Sequence, residues 1–153
     1  MKEKVSYILI IFIITFSFSL KQVVFAESSK EYAVIGNSAY KAFECSALAE
    51  KLKYIKEQER LFLFGYNQGL KFIDALKEKK IKQDDLSSEV PFIMLLLLQG
   101  PTPDFMLGRV FEGAIDSALR DILKTGDILN SDEVQESLAQ NKFEKCNCKL
   151  IGK

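Results

Sequence analysis

The stretch Leu95-Leu-Leu-Leu-Gln-Gly-Pro-Thr-Pro-Asp-Phe105 decides how the chain is organised. An apolar run ends at Gln99, and a new apolar pattern begins within a few residues. Gly100 tolerates the left-handed conformation that closes a helix, and Pro101 cannot continue one. Thr102 suits an N-cap, Pro103 the first helical position, and Asp104 places a carboxylate in the first turn. The stretch therefore predicts a corner between two helices. Gln99 is the exception. It closes an apolar run and its amide needs partners, either in the corner or on a ligand, so it is a candidate binding residue.

After the corner, Leu107, Val110, Phe111, Ala114, Ile115, Ala118, Leu119 and Ile122 fall on one face of a helix. Arg109, Glu112, Asp116, Arg120 and Lys124 fall on the other, spaced for Arg109–Glu112 and Asp116–Arg120 surface pairs. Gly126 is a stop signal. Ser131 is placed to cap a shorter helix, Asp132 to about Gln140, with Val134, Leu138 and Ala139 inward.

Before the corner, Phe92 to Leu98 is an unbroken apolar run, read as part of a central helix over 89–99, buried on all sides. Pro91 fits its first turn. Asp84 to Ser88 reads as a polar connector. Leu61, Phe62, Gly65, Tyr66, Gly69, Phe72, Ile73 and Leu76 share one side of a long helix that ends at Lys77 to Lys80, where basic residues suit the helix dipole. Gly36-Asn37-Ser38 reads as a break, with Ser38 capping a helix over about 39–53. The fold class is all-α, a compact bundle of about five helices.

The N-terminus has a different character. Lys2 and Lys4 precede an uncharged run from Val5 to Leu20, and Val24-Phe25-Ala26 supplies a cleavage pattern. That is the layout of a secretory signal peptide over 1–26, followed by a single helical domain over 27–153. The alternative is an uncleaved anchor, for which the run is short. With the leader removed, 18 basic residues face 20 acidic ones, a net charge of −2. No basic excess is available to follow a phosphate backbone, so nucleic acid is not an expected partner. After cleavage no stable membrane span is expected. The expected location is the periplasm or the medium.

Cys45, Cys146 and Cys148 are the only cysteines. In an oxidising compartment two of them should pair, Cys45 with either Cys146 or Cys148. A three-thiolate metal site is the alternative, but structural zinc uses four ligands and the chain has no histidine. Absence of histidine also removes the usual nucleophilic triads. Asp121 to Asp132 imitates a calcium loop in spacing, yet Leu123 stands where an oxygen ligand belongs. No metal and no cofactor is expected. Glu112 and Asp116, one turn apart, are the carboxylate pair to consider for acid–base chemistry, but a catalytic pair needs a concave site, and the same spacing serves surface ion pairs on a solvated helix face.

Gly65 and Gly69 lie one turn apart, and each costs a helix about 1 kcal/mol against alanine. Close approach of another helix offsets that cost, either within the domain or at a seam for a partner or second subunit. Gly65, Tyr66 and Gly69 are therefore candidate contact residues. The motif Gly65-Tyr66-Asn67-Gln68-Gly69, in an exported helical chain with a cysteine near its C-terminus, resembles the Rap/Tai kind of type VI secretion immunity proteins. Those are periplasmic proteins that bind and block a cell-wall-cleaving effector. The resemblance covers about 15 residues and the general layout. It departs at Phe64, where such proteins usually carry cysteine, and it transfers no contact residue. The expected function is a non-catalytic protein-binding module, an inhibitor or immunity protein, with homodimerisation through the glycine-bearing helix as one form. A carrier of an apolar small molecule or lipid is the alternative, and a carboxylate-only enzyme the third reading.

Overall fold

Ser28 starts the fold. Its hydroxyl accepts from the Glu31 N–H at 3.3 Å, and the Glu31 carboxylate accepts from the Ser28 N–H at 2.6 Å, closing a capping box. The computed structural model describes residues 27–153, and the leader predicted over 1–26 lies outside them. Among the described residues six helices pack into a bundle: α1 (Ser29–Lys51), α2 (Ile55–Lys77), α3 (Gln83–Glu89), α4 (Phe92–Leu97), α5 (Pro103–Leu123) and α6 (Asp132–Lys145). A two-stranded hairpin, β1 (Lys124–Thr125) and β2 (Ile128–Leu129), joins α5 to α6. A 3-10 turn, Cys148–Leu150, follows α6. None of these helices is long and apolar enough to cross a membrane.

The break expected at Gly36-Asn37-Ser38 does not exist, because α1 runs straight through it. Gly36 is buried, and a β-carbon there would lie 2.7 Å from the Phe72 ring. The glycine marks the crossing of α1 and α2, where the gain from close contact exceeds its helix penalty. Beyond Lys51 the chain reverses in three residues, with Lys53 in a left-handed conformation at φ 59°. The Ser46 hydroxyl donates to the Gln58 carbonyl at 3.0 Å and locks this hairpin of helices.

The polar connector over 84–88 is in fact α3. It docks on the start of α1, where the Ser29 hydroxyl accepts from the Lys82 N–H at 2.8 Å and donates to Asp85. The single buried helix expected over 89–99 is also corrected. Val90 is extended (φ −100°, ψ 131°), as a residue before proline must tend to be, and it separates α3 from α4. Within α4 only Met94 is fully buried. The α5 side of the corner is as read: Thr102 Oγ1 accepts from the Phe105 N–H at 3.2 Å, and Pro103 opens α5. Gly100, read as a left-handed helix stop, is not at positive φ, and α4 ends earlier, at Leu97.

The core has two parts. Around Phe43, Phe72, Met94, Leu107 and Val110, α1, α2, α4 and α5 meet. Around Leu48, Leu61, Ile122, Ala139 and Phe143, α1, α2, α5 and α6 meet. Cys45 and Cys148 form a disulfide inside this second part, and Cys146 is free and exposed. The last helix extends past Gln140 to Lys145, and its buried face is Gln135, Ala139 and Phe143, whereas Val134 and Leu138 are exposed. Phe143 draws the face round, because it fills the space beside the disulfide. Gly126, at φ 60°, is the first of two residues in the hairpin turn, where glycine is favoured.

Candidate functional site: the groove between α4 and α5

Gly65 and Gly69 are buried within this chain. A β-carbon on Gly65 would lie 2.8 Å from the Phe43 ring and 3.1 Å from the Ala39 carbonyl oxygen. One on Gly69 would lie 2.5 Å from Leu107 Cδ2. Their seam is thus the internal contact of α2 with α1 and α5, and no face is left at them for a second subunit. Tyr66 ties α2 to the corner: its hydroxyl donates to Asp104 Oδ1 at 2.6 Å, and that hydrogen bond holds the phenol pKa above its ordinary value. Gln99 is exposed, and its backbone carbonyl accepts from Arg109 at 2.8 Å. The four sequence candidates therefore do not converge on one site.

A different site forms where α4 lies against α5. Gly113 makes it: Leu97 occupies the position a β-carbon there would take, so the two helices approach closely. Beside this contact is an open groove of about 730 Å³. Ile93 and Leu97 line one wall, and Arg109, Glu112, Asp116 and Arg120 line the other. Tyr40 and Ser117 belong to the same lining. The Tyr40 hydroxyl donates to the Gly113 carbonyl at 3.3 Å, and burial, with Glu44 and Asp116 adding to it, pushes its pKa up. Ser117 donates to Glu44 at 2.7 Å.

The charged wall is the α5 stripe expected to be a solvated face. Asp116 and Arg120 pair as predicted, but Arg109 reaches Gln99 in place of Glu112. Glu112 consequently has no ion-pair partner among the described residues. Because Asp116 is engaged by Arg120, the two carboxylates are not an equivalent acid–base pair. Asp121, Gly126 and Asp132, the anchor points of the calcium-like spacing, fall on a helix end, a hairpin turn and a helix start. No group of three metal-ligating side chains occurs among the described residues.

Above the groove, α4 turns its outer face to solvent. Phe92 is 73% exposed, Ile93 44% and Leu96 46%, and Phe105, just past the corner, is 52% exposed. Sequence reading missed this patch because seven apolar residues in a row look like a core segment whichever side faces out. Pro91 was the available signal. A helix only six residues long, pinned between a proline and a Gly-Pro corner, cannot bury both sides. No family model matches the chain, and no curated protein or solved structure is detectably similar to it.

Proposed function

We propose that the protein is an exported, non-catalytic binding module whose partner protein docks on the α4–α5 face. The observation that carries this reading is the projection of Phe92, Ile93 and Leu96 from a short helix beside a charged groove. Exposed aromatic and aliphatic side chains with a polar rim are the usual makeup of a protein contact. Glu112 offers an unpaired charge at that rim to fix orientation. An inhibitor or immunity role is the specific form implied by the resemblance of the Gly65–Gly69 segment. A carrier of an apolar small molecule is less well supported, since this groove is open and one wall bears four charged side chains.

The test is affinity capture from the cell envelope with the unaltered protein and with a Phe92→Ser, Leu96→Ser variant. A stoichiometric partner that the variant loses, while its helical content is unchanged, supports the module. Recovery of an apolar compound in an organic extract, with no protein partner, would favour the carrier.

A further inference from the structure

The far end of the molecule carries a second surface of different chemistry. The turn between α1 and α2 supplies Lys53, the start of α2 supplies Ile55 and Lys56, and the C-terminal tail supplies Lys149. About a hundred residues apart in sequence, they line one shallow, open depression of about 440 Å³. Three contacts hold the tail there. Arg60 donates to the carbonyls of Cys148 and Ile151, the Cys45–Cys148 disulfide fixes the turn, and Phe64 packs on Gly152. Glu57, the one carboxylate in the depression, is already paired with Arg60 at 2.7 Å, and Lys149 and Lys153 act on it from nearby. Lys53, Lys56 and Lys149 themselves form no ion pair among the described residues. Between them stands Ile55, 65% exposed, and beside Lys149 stands Leu150, 68% exposed.

We propose that this end docks on an anionic lipid surface, with Lys53, Lys56 and Lys149 at the headgroups and Ile55 and Leu150 at the boundary with the acyl chains. The charge is complementary, since three lysines and a single carboxylate, already bound to Arg60, line the depression. Lysine stems reach past apolar contacts to place their ammonium groups in water or among phosphates. Exposed aliphatic side chains set among lysines on a shallow, open surface match an interfacial contact better than the enclosed pocket a small molecule needs. This surface is separate from the α4–α5 groove, and neither depends on the other.

The test is co-sedimentation with vesicles of phosphatidylcholine alone and of phosphatidylcholine with about one third phosphatidylglycerol. The protein is used as its expressing cells process it, and every variant is made in that same chain. Binding to the anionic vesicles alone, weakening with salt, is expected. Each lysine at such a surface is worth roughly a fivefold change in partitioning, so Lys53→Glu with Lys56→Glu should lower binding by roughly 25-fold or more. Ile55→Ser should lower it by a smaller factor. Lys82→Glu, at the opposite end of α1, should leave it unchanged. Equal binding to both vesicle types, no binding, or binding indifferent to the Lys53 and Lys56 changes would overturn the proposal. Unchanged far-UV circular dichroism in each variant separates these outcomes from misfolding.

Discussion

Leu97 of α4 lies over Gly113 of α5 and fills the space that a side chain at Gly113 would need. This contact sets α4 on the bundle with Met94 inward and Phe92, Ile93 and Leu96 outward. It also separates two kinds of glycine. At Gly108, five residues earlier on α5, a β-carbon would meet nothing within 4 Å.

That difference gives opposite mutational effects. Gly108→Ala should stabilise the protein by roughly 0.5–1 kcal/mol, since it removes only a helix penalty. Gly65→Ala should destabilise it by about 1–3 kcal/mol through overpacking against Phe43 and the Ala39 carbonyl. Urea unfolding of the isolated protein measures both. A Gly65→Ala protein of normal stability would mean that the buried seam is not as tight as described.

The disulfide closes a sequence separation of 103 residues. Cys148→Ser should cost about 2–4 kcal/mol, whereas Cys146→Ser should cost almost nothing. Alkylation of the native protein before reduction should label one thiol, and peptide mapping should place it at Cys146. Label on Cys45 or Cys148 would contradict the pairing.

Thr102 caps α5 and holds the corner at which α4 ends. Thr102→Ala should lower stability by about 1 kcal/mol, and Thr102→Ser should restore most of it. Thermal unfolding of the three proteins side by side is sufficient.

Acid should weaken the link between α2 and the C-terminal tail. The Arg60 hydrogen bond holds the Glu57 carboxyl below its ordinary value of 4.5. A group whose folded pKa is depressed contributes stability that is fully present above its unfolded value and is lost as pH falls through the folded one. Stability should therefore fall on going below about 4.5, and Glu57→Gln should flatten that part of the curve. The effect will be small, because the pair is still partly open to solvent. Chemical unfolding at a series of pH values reads it, and identical slopes for the two proteins would exclude Glu57 as a contributor.

Much of the architecture was legible from local rules. Thr102, Pro103 and the three-to-four spacing from Leu107 to Ile122 marked α5 correctly, because cap chemistry and amphipathic period agree there. Gly36 misled because a glycine that breaks a helix and one that admits a neighbouring ring look alike until Phe72 is in place. The site was less legible. Gly65 and Gly69 were noticed for a sound reason, yet tertiary packing had already satisfied that reason. The groove depends on α4 folding back over Gly113, and the basic end depends on Arg60 and the disulfide bringing the tail to α2. Neither juxtaposition has a local sequence signature.

On the proposed function, the outward face of α4 is covered by a partner protein in the cell. The most direct measurement places a photo-crosslinking amino acid at Phe92, at Leu96, and at Asn67 on the exposed side of α2, in living cells. A single discrete adduct from Phe92 and Leu96, with none from Asn67, is the predicted result. No adduct from either α4 position, or equal adducts from all three, would rule out a partner docked on α4.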